Sequence, residues 1–201
     1  MRITGDQLGK RFDKNWVFQN LNFDINTGEK WAIIGANGSG KSTLLKIIAG
    51  SLSATKGTII YYSENNSVLQ DTIIHKIAFS APYVELPEEF SLLELLTFHS
   101  KFKKPTISIP EMIERIGYPN ALNKQLGQYS SGMKQRVRLA LNFYFQTTLL
   151  ALDEPTSNLD EKGINWYQNE LKEFGKEKTV IISSNQRYEY EICNKFIQLT
   201  L

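Results

Sequence analysis

The stretch that most constrains the fold is Gly35–Ser42, which reads GANGSGKS. A short apolar run, Trp31–Ile34, precedes it. The residues that follow, KSTLLKIIAG, carry apolar side chains at helical spacing and end at Gly50, where a helix stop is expected. This order predicts a strand, a glycine-rich turn and a helix.

The rest of the chain alternates apolar runs with helical stretches. The runs predicted as strands are WVFQNLNFDI, GTIIYY, KIAFSAPY, TLLALDEP, TVIISS and KFIQLTL. Apolar residues at helical spacing occur in KQRVRLALNFYF and in Glu161–Phe174. Continuous apolar strands separated by helices predict a parallel sheet covered on both faces, so the predicted fold class is α/β.

The pattern changes at about residues 86–137. The stretches PEEFSLLELLTFHSKF and IPEMIERIGY are amphipathic at helical period and are bounded by prolines. We interpret them as an α-helical subdomain inserted into the core. The chain is then one domain, 1–201, with its core at 1–85 and 138–201.

The composition is that of an ordinary soluble domain. Hydrophobic residues make up 41% of the chain, and 23 Lys and Arg against 21 Asp and Glu give a net charge of +2. This charge is too small to indicate a nucleic-acid partner. The N-terminus lacks the apolar stretch of a signal peptide, and no uncharged apolar run is long enough to span a membrane. We therefore expect a cytoplasmic protein, whose membrane span, if it needs one, comes from another chain.

The GANGSGKS stretch matches G-x-x-x-x-G-K-[ST] in full, which predicts a phosphate-binding loop. Its glycines let successive N–H groups point at phosphate oxygens, Lys41 neutralises the β- and γ-phosphates, and Ser42 offers a hydroxyl to Mg²⁺. A chance match in a turn is the alternative, and the strand–loop–helix context argues against it. The predicted nucleotide-binding residues here are Gly35, Asn37, Gly38, Ser39, Gly40, Lys41, Ser42 and Thr43.

The stretch LLALDEP predicts the metal and water side of the same site. Four apolar residues, Leu149–Leu152, carry Asp153 to the end of a buried strand, where it can hold Mg²⁺ through water. Glu154 points the other way along the strand alternation, where it can polarise the attacking water as a general base. Alone, such a pair is usually a strand terminus; together with the phosphate loop it predicts nucleotide hydrolysis.

Two further stretches carry a family resemblance. YSSGMKQRVRLAL, Tyr129–Leu141, resembles the LSGGQ signature of ATP-binding cassette (ABC) ATPases, and DEPTSNLD, Asp153–Asp160, resembles the run that follows in that family. The resemblance covers essentially the whole chain. It implies a P-loop NTPase core, an N-terminal antiparallel β portion and an inserted helical subdomain. It also implies ATP and Mg²⁺ as cofactors, a second ATP-binding subunit, and a separate transmembrane permease that holds the chain at the cytoplasmic face.

The signature residues Ser130, Ser131 and Gly132 stand just before a helix, where hydroxyls and N–H groups meet the positive helix end. Taken alone, they would read as a helix cap. In the family, this element contacts the γ-phosphate held by the opposite subunit. Ser131 and Met133 differ from the usual glycine and glutamine, and we expect function to survive both changes.

The resemblance also assigns an adenine-stacking position. Phe12 falls where the family places an aromatic residue, and Trp16 is a second candidate for the same task. A strand residue packed in the core is the alternative interpretation of Phe12, and the sequence does not separate the two.

Two positions depart from the family pattern. Pro82 stands where a glutamine usually senses Mg²⁺ and the γ-phosphate, and no glutamine occurs between Gln70 and Gln125. TVIISSNQ places Asn185 at the switch-histidine position. An Asn amide can donate to a γ-phosphate oxygen but cannot shuttle a proton. We keep Glu154, Lys41 and Asn185 as the predicted catalytic residues.

These departures leave alternatives open. The first interpretation is an active ATPase subunit that works as a pair beneath a membrane protein. The second is an ATP-binding subunit impaired in hydrolysis, acting as a switch or in a heterodimer, which Pro82 and Asn185 motivate. A non-transport ABC protein acting on translation or DNA is a third class, disfavoured because such relatives carry two cassettes or long coiled coils.

Overall fold

The computed structural model describes residues 1–63, 66–68 and 70–200, with no side-chain description for Gln70 and Asp71. Two sheets form its framework. The strands are β1 (Arg2–Phe12), β2 (Asn15–Ile25), β3 (Lys30–Gly35), β4 (Lys56–Ser63), β5 (Asn66–Val68), β6 (Ile77–Ser80), β7 (Leu149–Asp153), β8 (Thr179–Ser183) and β9 (Lys195–Leu199). An antiparallel sheet has the order β2-β1-β4-β5, and a parallel sheet has the order β6-β7-β8-β3-β9.

Helices connect and cover these strands. The α-helices are α1 (Lys41–Ile48), α2 (Gln70–Ile73), α3 (Leu92–Ser100), α4 (Ile109–Ile116), α5 (Ser131–Phe143) and α6 (Glu161–Phe174). Among residues 1–63, 66–68 and 70–200, no helix is long and apolar enough to cross a membrane. The parallel sheet and the antiparallel N-terminal portion confirm the predicted fold class. The division into core and inserted subdomain stays a prediction, and α5 runs across its boundary at residue 137.

The parallel sheet is covered on both faces, and its strands β7 and β8 are buried throughout, as their continuous apolar runs predict. One face contributes Ile33, Ala151 and Ile181 to a cluster with α1 and the antiparallel sheet. The other face contributes Leu150, Leu152, Val180 and Ile182 to a cluster with α3, α4, α5 and α6. Burial of this apolar surface fixes the register of the strands, and with it the positions of the residues at their carboxyl ends.

Strand β1 was not assigned from the sequence. Its pairing with β2 shifts register at three places, and Gln7 has a left-handed backbone with φ 47°. Each such bulge puts two residues of one strand opposite one of the other and breaks the period-two pattern of side chains. The apolar residues of β1 therefore do not alternate in sequence, although Ile3 and Leu8 are fully buried.

An ion-pair network holds α4 against α6. Arg115 of α4 contacts Glu170 at 3.2 Å and Glu173 at 2.8 Å, and it contacts Glu111 of its own helix at 3.4 Å. Glu170 is 5% exposed, and burial raises the pKa of its carboxyl group. Arg115 thus supplies a countercharge to a carboxylate that has lost most of its water.

We expect Arg115→Ala to lower the free energy of unfolding by about 2 kcal/mol near neutral pH, since Glu170 then stays buried without its countercharge. The cost of the charged form applies above the raised pKa of Glu170 and disappears as the pH falls toward the unfolded value. Urea unfolding at about pH 7 and about pH 5 should therefore show a smaller loss at the lower pH. The control is Arg2→Ala, which breaks an exposed pair with Asp24 and should change stability little. Equal losses in the two variants would contradict this account.

Candidate nucleotide-binding site

The carboxyl ends of the central parallel strands collect the predicted site residues. Gly35 ends β3, Asp153 ends β7 and Ser183 ends β8, and these three strands are neighbours in the sheet. The chain leaves β3 toward β6 at one side of the sheet and leaves β8 toward β9 at the other. Because these two connections diverge, a crevice opens at the carboxyl ends of β3 and β8. Gly35–Ser42 enters the crevice directly from β3.

The loop Gly35–Ser42 has the curled backbone that the motif predicts. Gly38 and Gly40 have φ values of 84° and 95°, and the Ser39 N–H donates to the Ala36 carbonyl at 3.1 Å. A Cβ atom on Gly40 would lie 2.3 Å from Cγ1 of Val17, so glycine is required there for space as well as for conformation. Strand β2 therefore packs directly against the loop.

Lys41 lies inside the curl of the loop. Its Nζ donates to the Gly35 carbonyl at 2.9 Å and to the Ala36 carbonyl at 3.1 Å, and the residue is 6% exposed. A cleft of about 360 Å³ is lined by five loop residues, Asn37, Gly38, Gly40, Lys41 and Ser42, together with Val17, Thr43 and Glu154. The ammonium group is thus held by its own loop at the rim of a cleft large enough for phosphate groups.

Ser42 and Asp153 are in direct contact. The Ser42 hydroxyl donates to Oδ1 of Asp153 at 3.0 Å, and Asp153 is 2% exposed. A hydroxyl beside one carboxylate suits Mg²⁺, which binds proteins through one or two oxygen ligands and completes its shell with phosphates and water. Among the described residues, no group of three or more His, Cys, Asp or Glu forms a separate metal cluster.

Glu154 is the first residue after β7, which ends at Asp153. Its backbone is left-handed with φ 41°, its N–H donates to the Ser183 carbonyl at 2.9 Å, and its side chain is exposed. A left-handed non-glycine residue costs backbone energy and is held by its surroundings. Glu154 lines the phosphate-loop cleft and also a second pocket of about 270 Å³, as does Asn37.

Asn185 reaches the phosphate loop. Its Nδ2 donates to Oδ1 of Asn37 at 2.6 Å, and both residues line the second pocket with Glu154. The N–H of Ser184 donates to the Ile33 carbonyl, which ties the end of β8 to β3. The structure therefore brings Asn185 to the phosphate loop.

The signature residues lie elsewhere in the chain. Ser130 caps α5 by accepting from the Met133 N–H at 3.3 Å, and Ser130 and Ser131 are exposed. A Cβ atom on Gly132 would lie 2.7 Å from the Asn158 carbonyl, so α5 begins against the DEPTSNLD segment. None of these three signature residues lines the cleft around Lys41. The single chain leaves its signature on an open surface.

Phe12 does not lie in the core, so the core alternative is wrong. It is 50% exposed at the end of β1, and Lys10 Nζ lies 4.9 Å from its ring centroid. Trp16 is 37% exposed at the start of β2, whose Val17 lines the phosphate-loop cleft. Both rings therefore stand on the same hairpin end beside the loop, where either one can present a face to a planar base.

Two contacts near the site, one buried and one partly buried, were not predicted from the sequence. Glu189 is 2% exposed and accepts from the Thr156 N–H at 2.8 Å and from the Thr156 hydroxyl. The hydroxyl of Tyr83 donates to Oδ2 of Asp153 at 3.2 Å. Burial, followed by the nearby Asp153 charge, raises the pKa of Tyr83, so this hydroxyl keeps its proton. The one signal for Tyr83 was its position directly after Pro82.

The chain is similar to known transport ATPases along its length. A family model described as ABC transporter matches residues 18–157. The lantibiotic transport ATP-binding protein SrtF of Streptococcus pyogenes is 33% identical over 191 residues, which cover 94% of this chain and 82% of SrtF. A putative ABC transporter ATP-binding protein from Pyrococcus furiosus is 27% identical, with a TM-score of 0.82 and coverage of 99% and 98%. Another ATP-binding cassette, solved as a dimer in a post-hydrolysis state with ADP and Pi, has a TM-score of 0.84 at 24% identity, covering 98% of this chain and 94% of its own; it shows the same fold.

Proposed function

Because this chain belongs to the ABC transporter family of ATP-binding subunits, an ATPase family, we propose that it hydrolyses MgATP at the carboxyl edge of its parallel sheet. The observation that carries the proposal is that Lys41, Ser42 and Glu154 line one cleft, with Asp153 hydrogen-bonded to Ser42. A cation, an oxygen pair suited to a metal and an acceptor for a water proton are what phosphoryl transfer to water requires.

Each residue has a separate task in the reaction. Lys41 and the N–H groups of its loop bind the β- and γ-phosphates. Ser42 and Asp153 would hold Mg²⁺, which supplies charge neutralisation between the phosphates when bound. Glu154 orients the attacking water and accepts its proton. An Asn amide carries two N–H groups, and Asn185 donates to Asn37 from Nδ2, so the remaining N–H is our assigned γ-phosphate donor.

We infer that a second subunit completes the site. Ser130 and Ser131 are exposed at the start of α5, whose helix dipole and N–H groups favour an anion. Neither serine lines the Lys41 cleft of its own chain. In a two-fold pair of copies, the signature of each would meet the phosphates held by the other, so ATP would close the dimer and hydrolysis would open it.

The proposed partner outside the pair is a separate transmembrane permease, with the chain peripheral on the cytoplasmic face. The relative SrtF is named for lantibiotic transport, and a lantibiotic is the candidate cargo that this similarity suggests. Co-purification of the chain with its spanning partner, followed by ATPase assay of the complex, tests the assignment. A partner that stimulates MgATP hydrolysis is expected, and a complex without ATPase activity would contradict it.

Asn185 offers the sharpest test of the hydrolysis-impaired alternative. We expect Asn185→Ala to lower kcat about tenfold or more with little change in KM, because a donor to the transferred phosphoryl group is lost. Steady-state kinetics at saturating MgATP measures this. Asn185→His should stay near the wild-type rate if the amide suffices, and a clearly faster histidine variant would favour the impaired-subunit interpretation instead.

A further inference from the structure

The carboxylate of Asp153 is held at both of its oxygens. Oδ1 accepts from the Ser42 hydroxyl at 3.0 Å, and Oδ2 accepts from the Tyr83 hydroxyl at 3.2 Å. Ser42 belongs to the phosphate loop, whereas Tyr83 follows the edge strand β6, three residues beyond its end at Ser80. Two separate segments therefore fix the orientation of the one carboxylate that ends β7.

The ring of Tyr83 contacts a lysine of α1, the helix that follows the phosphate loop. Nζ of Lys46 lies 4.2 Å from the ring centroid, and Lys46 belongs to α1, the helix that begins at Lys41. A cation over an aromatic face restrains the ring without using its hydroxyl. The side chain is 50% exposed, so the hydroxyl is directed to a buried carboxylate by specific contacts rather than by enclosure in the core.

The backbone next to Tyr83 is hydrogen-bonded to α5, the helix that begins in the signature. The Val84 carbonyl accepts from Nε of Arg138 in α5, and Nη1 of Arg138 donates to Oε1 of Gln135 at 3.0 Å. Nε2 of Gln135, a fully buried residue, donates to the Pro155 carbonyl at 2.7 Å. Direct hydrogen bonds thus connect α5 to the residue after Tyr83 and to the residue two positions after Asp153.

We propose that Tyr83 is the positioning residue of the metal site, holding Asp153 toward Ser42 and linking the state of that carboxylate to α5. This inference rests on the proposed function, because it takes MgATP as the ligand that Asp153 serves. Pro82 has no side-chain donor, whereas the hydroxyl of the neighbouring Tyr83 donates to Asp153. Partners that orient a ligating carboxylate typically change metal affinity when they are removed.

The test is Tyr83→Phe, which keeps the ring over Lys46 and removes only the hydroxyl. ATP binding to the full chain is measured by isothermal titration calorimetry, once with excess Mg²⁺ and once with EDTA. We expect the affinity for MgATP to fall about tenfold, and the affinity for metal-free ATP to stay within about twofold of wild type. The Mg²⁺ concentration that half-activates hydrolysis should rise in parallel.

The matched control is Tyr62→Phe, since Tyr62 on β4 also carries a cation, Arg2, 5.2 Å from its ring centroid. It should bind like wild type in both buffers. A Tyr83→Phe variant with unchanged MgATP affinity, or with equal losses in Mg²⁺ and in EDTA, would overturn the assignment while leaving the proposed function intact. Wild-type protein that binds ATP in neither buffer would instead contradict the proposed function itself.

Discussion

Glu154→Gln is expected to lower the rate of MgATP hydrolysis by about 10²–10⁴-fold while ATP binding persists. The amide has the shape of the carboxylate but cannot accept the proton of the attacking water. Glu154 lines the cleft with Lys41 and Ser42, so the substitution removes the proton acceptor and leaves the phosphate contacts in place. Bound ATP is then not consumed, and the paired state should accumulate.

Two measurements read out this variant. A phosphate-release assay gives the rate, and size-exclusion chromatography with light scattering gives the mass with and without MgATP. Glu177→Gln is the matched control. Glu177 is an exposed glutamate just before the amino end of β8, whereas Glu154 follows the carboxyl end of β7. Wild-type turnover in Glu154→Gln would remove Glu154 from the mechanism.

Lys41→Met is expected to weaken ATP binding about 100-fold, because two charge-assisted contacts to the phosphates are worth about 3 kcal/mol together. Methionine is close to lysine in length but carries no charge. The variant also leaves the Gly35 and Ala36 carbonyls without the ammonium that now contacts them. Turnover should therefore become undetectable at ATP concentrations that saturate the wild type.

Titration calorimetry with ATP measures the loss, and thermal unfolding verifies that the variant is folded. Lys172→Met, at an exposed position near the end of α6, removes the same charge far from the loop and should bind ATP normally. If Lys41→Met bound ATP as tightly as this control, the phosphates would not lie where the loop geometry places them.

The phosphate loop and the buried strands were readable from the sequence because their requirements are local. Gly40 is dictated by its own backbone and by one neighbour, Val17, and the apolar run Leu149–Leu152 is dictated by burial on both faces. Ser42 and Asp153 were both expected at one Mg²⁺ site, and the structure places them in hydrogen-bond contact. These features depend on secondary structure and strand order.

The contacts that the sequence did not predict depend on side chains that converge from distant segments. Tyr83 reaches Asp153 only because the turn after β6 directs it there, and no spacing rule encodes that turn. The buried pair of Glu189 with Thr156 joins two loops whose approach is set by the packing of α6. The exposure of Phe12 likewise depends on where the β1–β2 hairpin ends.

In the proposed pair, each site combines the phosphate loop of one copy with the signature of the other. Ser131→Glu tests the signature side, because an acidic residue suits the first turn of α5 yet repels the phosphates of a partner. Lys41→Met and Ser131→Glu should each be inactive alone.

Mixing these two inactive variants is the most direct measurement. In a mixed pair, the phosphate loop of the Ser131→Glu copy faces the intact signature of the Lys41→Met copy, so one site of two is whole. Random pairing then predicts recovery of about a quarter of the wild-type ATPase rate. A mixture that stays as inactive as its separate components, although the copies pair, would contradict the shared site.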